Sequence, residues 1–167
     1  GSVIKGSSIE SSNLSPNSPY AATKTSADHL IISYYKTFNF PSIIARSSNN
    51  YGPYQFPEKL IPLIILNALE NKKLPLYGNG KHVRNWLYVE DNVNALKKVL
   101  FKGKKGNIYN IGGKEEISNL VLIRKICKIL DIILPRENKK KYESLIEFVS
   151  DRPGHDKRYS LNSNKIK

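Results

Sequence analysis

Apolar residues recur at helical spacing between residues 19 and 39 and predict the first helix of the chain. They form one stripe, made of Ala27, Leu30, Ile31, Tyr34, Tyr35 and Phe38, with the spacing of a single helix face. Ser18 is a favourable N-cap and Pro19 suits the first helical position, while Pro41 bars continuation beyond Asn39. We therefore expect an amphipathic helix with a buried stripe.

Short apolar runs alternate with further helical patterns along the rest of the chain. Strands are predicted at 42–47, 74–77, 85–89, 107–111 and 145–149, and helices at 60–69, 92–101 and 119–133. Asp91 and Ser118 are expected to cap the last two helices. Residues 48–62 predict a polar and aromatic loop, and 78–80 a turn. A helix followed at once by a buried strand is typical of a parallel α/β sheet.

Composition narrows the class of protein. The 167 residues suit one domain, and because no apolar run is long enough to span a bilayer, we expect a cytoplasmic protein with no membrane partner. The net charge of +13 favours anionic partners. The lysines are scattered and no nucleic-acid-binding motif is present, so we expect a small anionic ligand and no nucleic acid. Cys127 lies in a helical pattern and is expected to be buried, and no histidine has metal-ligand spacing, so no metal site is expected.

Tyr20 and Lys24 form the first candidate for chemistry. They are four residues apart on the predicted first helix, and so share one face at the edge of the apolar stripe. A partly desolvated ammonium beside a phenol stabilises the phenolate, which would make Tyr20 a general base. An ordinary helix with an exposed lysine and a half-buried tyrosine would show the same short motif, which does not decide between the two.

Polar residues after the predicted strands form the second set of candidates. Asn49 and Asn50 follow strand 42–47, at the edge where parallel sheets bind ligands, although asparagine also favours turns. Arg84 could clamp a diphosphate with two hydrogen bonds, or be a solvated surface residue. The run 151–159 surrounds a Pro-Gly turn, and its Arg152, His155 and Arg158 could either hold phosphate or belong to a charged loop.

Several stretches together resemble the nucleotide-sugar branch of the extended short-chain dehydrogenase/reductase family. They are 18–30, beginning Ser-Pro-Tyr-Ala-Ala-Thr-Lys, then 48–62, 84–91, 109–113 and 151–159. Tyr-x-x-x-Lys and Tyr-Asn-Ile-Gly are shared with epimerases and decarboxylases of this branch. The runs Asn-Asn-Tyr-Gly-Pro-Tyr-x-Phe-Pro-Glu-Lys and Asp-Arg-Pro-Gly-His-Asp resemble its dehydratases, which are lyases.

The resemblance implies an NAD-dependent dehydration of a nucleotide sugar such as dTDP-glucose. Hydride would pass from C4 of the sugar to NAD, water would leave across C5 and C6, and the hydride would return to C6. The implied roles are catalytic for Tyr20 and Lys24, which would also contact the cofactor together with Asn50. The implied substrate contacts are Asn49, Lys59, Leu60, Pro75, Tyr77, Arg84, Asn119, Asp151, Arg152 and His155.

The implied fold is α/β, the C-terminal part of a doubly wound Rossmann-type parallel sheet with a smaller α/β substrate domain. Residues 1–48 and 83–106 would be the remnant of the dinucleotide-binding domain, and residues 49–82 and 107–167 the nucleotide-sugar domain. The first helix resembles a dimer-interface element, so a homodimer is expected. A related epimerase or decarboxylase remains open, as do a non-catalytic nucleotide-sugar-binding module and, more remotely, a nucleic-acid binder.

Two elements that the resemblance requires are not among these residues. None of the ten glycines builds a Gly-x-Gly-x-x-Gly loop, since Val83 stands in the third position after Gly78 and Gly80. The acid and base for water loss, a Thr-Asp-Glu run in the family, should lie immediately before residue 1. We therefore expect a fragment that is inactive alone and in which the stripe of the first helix has lost part of its burial.

Overall fold

The computed structural model describes residues 2–166, which form two compact units. Unit 1 contains residues 2–52, Arg84–Glu116 and 154–166, and unit 2 contains Pro53–Val83 and Ile117–Pro153. In chain order the elements are α1 (Pro19–Phe38), β1 (Ile44–Ser47), β2 (Asn49–Tyr51), α2 (Leu60–Leu69), β3 (Leu74–Tyr77), β4 (Val83–Tyr88), α3 (Val89–Lys102), β5 (Ile108–Ile111), β6 (Glu116–Ser118), α4 (Asn119–Ile133) and β7 (Ile146–Val149), with 3₁₀ turns at Tyr142–Leu145 and Asn164–Ile166. Which unit serves a cofactor and which a substrate stays a prediction.

Unit 1 is built on parallel strand pairs. β1 pairs with β5 from Ile44 opposite Ile108 to Ser47 opposite Ile111, and β2 pairs with β4, with Asn49 opposite Trp86. Helix α3 packs against β1, β2 and β5. The predicted parallel α/β architecture is therefore confirmed, and strand β2 follows β1 after a single residue.

Unit 2 has its own core beneath a second parallel pair. β3 pairs with β7, with Leu74 opposite Ile146, and α2 and α4 pack together and supply most of the apolar side chains. Its largest fully buried side chains are Ile64, Leu74, Leu76, Ile123 and Cys127. The expected burial of Cys127 is thus confirmed, as are the predicted bounds of α2 and β3.

Helix α1 starts and ends as predicted, but its apolar stripe is exposed. Ser18 Oγ accepts a hydrogen bond from the amide of Ala21, and Asn39 ends the helix in a left-handed conformation. Leu30 is 60% exposed and Phe38 69% exposed, and within the described chain no residue of α1 is buried. The prediction of a buried stripe is wrong for this structure, because among residues 2–166 only Tyr35 of the stripe is half-buried and the other five residues are exposed. The expected loss of burial relative to a longer protein stays a prediction.

Two further sequence predictions need correction. Asp91 does not cap α3. The helix begins at Val89, directly after Tyr88, and no side chain caps it. Asp91 lies instead in the first turn, where a carboxylate interacts favourably with the helix dipole. Residues 49–51 form β2 rather than loop, because their backbone pairs with β4.

Among residues 2–166, no helix combines the length and hydropathy that crossing a membrane requires.

Candidate functional site

Tyr20 and Lys24 lie on the first two turns of α1 in unit 1, at a point fixed by the helix cap. Ser18 Oγ accepts from the amide of Ala21 at 3.2 Å, and its carbonyl accepts from the amide of Ala22 at 2.9 Å. Tyr20 is 74% exposed and Lys24 is also exposed. The predicted partial desolvation of Lys24 is therefore wrong here, while the common face for the phenol and the ammonium follows from the helix geometry.

A buried carboxylate, Asp156, fastens the segment that precedes α1. Asp156 is 5% exposed and accepts hydrogen bonds from Asn17 Nδ2 at 2.7 Å, Ser2 Oγ at 3.0 Å and the hydroxyl of Tyr159. Burial raises the pKa of this carboxyl, but the three donated hydrogen bonds outweigh it and hold the pKa below its ordinary value. Asp156 is therefore ionised at neutral pH.

Gly154 brings the same loop close to the residue before the cap. Its φ is +67°, and a Cβ placed there would lie 2.7 Å from the carbonyl oxygen of Asn17. A side chain would meet both the strain of a left-handed backbone and this contact. The Pro-Gly turn predicted from the sequence is therefore also a docking contact with the start of α1.

Arg84 is buried on β4 and stacks on Tyr159. The guanidinium carbon lies 4.8 Å from the centre of the Tyr159 ring, and Arg84 is 7% exposed. Burial raises the pKa of Tyr159 to about 12, and the hydrogen bond to Asp156 and the negative charge of Asp156 add to this rise. The positive charge of Arg84 acts in the opposite direction and lowers the pKa of Tyr159.

Two of the stretches that carried the family resemblance contact each other in unit 1. Asn85 Nδ2 donates to the carbonyl oxygens of Gly113 at 2.8 Å and of Glu115 at 3.2 Å. A Cβ at Gly113 would lie 1.7 Å from the carbonyl oxygen of Trp86. The Arg-Asn-Trp and Ile-Gly-Gly runs therefore pack against each other. This contact requires the Asn85 amide as a donor and a residue without a side chain at Gly113.

Arg158 has a structural role in unit 1. Its Nε and Nη2 donate to the two carboxylate oxygens of Glu116 at 2.9 and 3.2 Å, and its Nη1 donates to the carbonyl of Gly6 at 2.8 Å. Glu116 also accepts a bond of 2.5 Å from Ser160 Oγ. The structure therefore does not support a phosphate-binding role for Arg158, because two nitrogens of its guanidinium group already bind the carboxylate of Glu116.

Asn49 and Asn50 are half-buried on β2 of unit 1. Asn50 Nδ2 donates to the carbonyl of Ser48 at 3.2 Å. The neighbouring Tyr51 ring packs against Trp86 and Tyr88, with centroids 6.3 and 5.5 Å apart. His155, also in unit 1, is half-buried.

Pro75 and Tyr77 are the two half-buried residues of β3 in unit 2. Arg152, from the predicted loop at 151–159, lies close to Tyr77. The Arg152 guanidinium lies 5.1 Å from the centre of the Tyr77 ring. Asp151 Oδ2 lies 3.0 Å from Nε2 of His82, which is 6% exposed. No signal in the sequence points to this contact, because Asp151 lies 69 positions after His82.

Asn119 is the first residue of α4 and is also in unit 2. Its amide donates to the carbonyl of His82 at 2.9 Å, and Ser118 caps the helix as predicted. Asn119 is 7% exposed, and its Oδ1 has no hydrogen-bond partner among residues 2–166. A buried acceptor of this kind is costly unless a ligand or water satisfies it.

Lys59 and Leu60 begin α2, likewise in unit 2. Lys59 precedes the first helical residue and is exposed, and its Nζ lies 2.8 Å from Glu58 Oε1. Leu60 is half-buried and packs against the core of the unit. The amides at this helix start and the Lys59 ammonium both favour an anion.

The parallel strand pairs with their packed helices define a Rossmann-type α/β chain, similar in fold to solved dehydratases that carry NAD. The chain belongs to the GDP-mannose 4,6 dehydratase family, whose model matches residues 1–167. The family predicted from the sequence motifs is thereby confirmed.

Two of the relatives that the chain resembles are dehydratases, as the sequence motifs predicted. The chain is 52% identical over 157 residues to dTDP-glucose 4,6-dehydratase 1 of Escherichia coli strain K12, a match that covers 94% of this chain and 43% of the relative. A dTDP-glucose 4,6-dehydratase of Streptomyces venezuelae, solved with NAD and dTDP bound, is 44% identical with a TM-score of 0.91 and coverage of 99% of this chain and 49% of that one.

A third comparison gives the same result. The dTDP-glucose 4,6-dehydratase of Bacillus anthracis, solved in complex with NAD, is 48% identical with a TM-score of 0.89, covering 99% of this chain and 50% of that chain. The chain thus spans about half the length of the relatives it matches.

Proposed function

We propose that residues 1–167 form part of an NAD-dependent dTDP-glucose 4,6-dehydratase and supply its catalytic base and much of its nucleotide-sugar contact. The observation that carries the proposal is the exposed Tyr20–Lys24 pair, one helical turn apart at a capped helix start. It stands in a chain 52% identical to a dehydratase of that substrate. The reaction would convert dTDP-glucose to dTDP-4-keto-6-deoxyglucose and water.

Tyr20 would act as the general base in this reaction. Its exposed hydroxyl can reach a ligand without displacing protein atoms, and it would remove the proton of the sugar C4 hydroxyl. Lys24, on the same face, would stabilise the resulting phenolate by its charge.

The chain's residues fit one end of the cofactor. The Tyr20 hydroxyl, the Lys24 ammonium and the Asn50 amide are donors suited to ribose and carboxamide oxygens. When bound, NAD accepts the hydride from C4 and returns it to C6. The described residues include no glycine-rich turn at a helix start for the pyrophosphate, so the fit concerns only the nicotinamide end of the cofactor.

The substrate contacts that we propose are those implied by the family resemblance. In unit 1, Arg84 is a cation suited to a diphosphate; taken by itself, unit 2 offers Arg152. In unit 2, the buried Oδ1 of Asn119 is an acceptor whose hydrogen bond a ligand would complete. The other proposed contacts are Asn49, Lys59, Leu60, Pro75, Tyr77, Asp151 and His155.

The proposal extends to assembly and location. The exposed apolar stripe of α1 offers a surface for a second copy of the chain, so we propose a homodimer. The cytoplasmic location and the predicted roles of the two domains belong to the same proposal. We also propose that residues 1–167 alone do not turn over dTDP-glucose, because catalysis of water loss needs an acid and a base besides Tyr20.

A chimera tests this function. This chain replaces the matching 157 residues of the Escherichia coli relative, and formation of the 4-keto-6-deoxy sugar is followed with NAD present. We expect turnover within about tenfold of the parent enzyme, and none from residues 1–167 alone. A folded chimera that binds NAD but forms no product contradicts the proposal.

Binding of the isolated chain gives a second test. Calorimetry with dTDP and with a duplex oligonucleotide separates a nucleotide-sugar pocket from a general attraction of the positive charge for anions. We expect dTDP binding that persists at high salt and oligonucleotide binding that falls steeply with salt. Equal salt dependence of the two contradicts a dedicated pocket.

A further inference from the structure

The loop from Gly154 to Tyr159 connects two residues with proposed functions in unit 1. On one side, Asp156 binds Asn17 Nδ2 at 2.7 Å, immediately before the cap that sets the position of Tyr20. On the other side, the Tyr159 ring lies against the Arg84 guanidinium at 4.8 Å. Tyr159 and Asp156 are joined by the bond from the Tyr159 hydroxyl to Asp156 Oδ2.

The arrangement restricts Arg84 more than burial alone would. A guanidinium that lies over an aromatic face is restricted by the ring in the orientations it can adopt. The Tyr159 ring cannot move away easily, because its hydroxyl is bound to a carboxylate that accepts two other hydrogen bonds. The raised pKa of Tyr159 keeps this hydroxyl a donor at all ordinary pH values.

We propose that Tyr159 is a positioning residue that orients Arg84 for a diphosphate, and that Asp156 anchors Tyr159 to the segment preceding α1. The inference deepens the proposed function and rests on it. Neither residue needs to touch the ligand. Their effect should appear as selectivity for a diphosphate, since Arg84 with a restricted orientation can form two parallel hydrogen bonds to phosphate oxygens.

The test compares dTDP with dTMP, which differ by one phosphate group. Affinities of the full chain for both nucleotides are measured by calorimetry for the parent and for Tyr159→Leu, which removes the ring. We expect Tyr159→Leu to weaken dTDP binding about tenfold, the upper range for a desolvated cation–ring contact, and to change dTMP binding less than about twofold. A general loss of structure would weaken both.

Tyr109→Leu is a matched control in the same unit. A cation also lies over the ring of Tyr109, with Lys165 Nζ 4.8 Å from the ring centre. The Tyr109 hydroxyl takes part in a hydrogen bond too, but as the acceptor, from the amide of Lys104 at 3.0 Å. We expect this variant to keep the parent ratio of dTDP to dTMP affinity. An equal loss of the ratio in both variants overturns the inference.

A double-mutant cycle tests the path through Arg84. In an Arg84→Ala background the ring has no guanidinium to orient, so Tyr159→Leu should weaken dTDP binding less than about twofold further. Additive losses overturn the positioning role. If Tyr159→Leu does not fold, Tyr159→Phe and Asp156→Ala replace it. The first removes the hydroxyl that donates the anchoring bond and the second removes the carboxylate that accepts it, while both keep the ring. We expect about a threefold loss of the ratio. An unchanged ratio in both overturns the inference.

The proposed function fails differently. If the parent chain, folded by circular dichroism, does not bind dTDP, the nucleotide-sugar function is overturned and the inference with it. If the parent binds dTDP and the Tyr159 variants keep the parent ratio, the inference alone is overturned.

Discussion

Asp28 on α1 accepts a hydrogen bond of 2.7 Å from Arg46 Nε on β1, and the two side chains are 19% and 17% exposed. Arg46 Nη1 also donates to the carbonyl of Glu10 at 3.2 Å. No described residue of α1 is fully buried, and this half-buried ion pair is one of the contacts that attach the helix to unit 1. Its position on the half-buried face explains how the helix is held while its apolar stripe stays exposed.

Asp28→Asn should therefore destabilise the protein measurably. The substitution removes the negative charge opposite the half-buried Arg46, and we expect the free energy of unfolding to fall by about 1.5–3 kcal/mol. Urea unfolding followed by circular dichroism measures it. Glu70→Gln is the control, because its pair with Lys72 has side chains 55% and 66% exposed and should contribute less than about 1 kcal/mol. Equal effects would show that the Asp28–Arg46 pair is no special anchor.

The exposed stripe of α1 predicts self-association. Leu30→Lys with Phe38→Lys places two charges on side chains that are 60% and 69% exposed, and we expect the doubly substituted chain to be monomeric by light scattering. The parent should show a mass that rises with concentration toward that of a dimer. His29→Lys with Ser33→Lys, both exposed and on the side of α1 away from the centre of the stripe, should behave as the parent does. A monomeric parent at every accessible concentration contradicts the proposed dimer.

Cys127 should be unreactive in the folded protein. Burial, then the charges of Asp131 and Glu143, raise the pKa of this thiol from 9.0 to about 11. At pH 8 a thiol reagent should modify it only after denaturant is added. The folded state favours the protonated thiol, so this contribution to stability is complete below pH 9 and is lost as the pH rises toward 11.

The matched control is Cys127→Ala. Over pH 9 to 11 the free energy of unfolding of the parent should fall more steeply than that of the variant, since other groups titrate equally in both. Rapid modification of the folded parent at pH 8, or parallel stability curves, would contradict the prediction.

Gly113→Ala should be among the most damaging single-methyl additions. The added Cβ would lie 1.7 Å from the carbonyl oxygen of Trp86, so backbone must move, and we expect a loss of about 3 kcal/mol. Gly6→Ala meets no atom within 4 Å and has only the strain of its φ of +68°, at about 1–2 kcal/mol. Thermal unfolding of both variants gives the comparison, and a smaller loss for Gly113→Ala would contradict the close contact.

Tyr20→Phe tests the catalytic assignment in the chimera with the Escherichia coli relative. Removal of the hydroxyl removes the general base, and we expect kcat to fall by about 10²–10⁴-fold with KM for dTDP-glucose changed little. Tyr34→Phe is the control on the same helix, where the side chain is 49% exposed, and should keep the parent rate. Full activity of Tyr20→Phe would remove Tyr20 from the proposed role.

Local signals in the sequence determined much of this protein. Ser18 and Ser118 cap α1 and α4 as predicted, and α2 and β3 have the predicted bounds. These elements depend on residues a few positions apart, since caps, prolines and apolar periods act within one helical turn or strand. The motifs that identify the family and place Tyr20, Lys24 and Arg84 are equally local.

Only the tertiary structure decided the rest, because the contacts concerned join distant residues. β2 exists through pairing with β4 rather than through an apolar period of its own. Asp156 meets Ser2 and Asn17 across 154 and 139 positions, so neither its burial nor its link to Tyr159 and Arg84 has a sequence signature. The stripe of α1 has the spacing of a buried face, yet whether such a face is covered depends on what packs against it, and spacing carries no information about that partner.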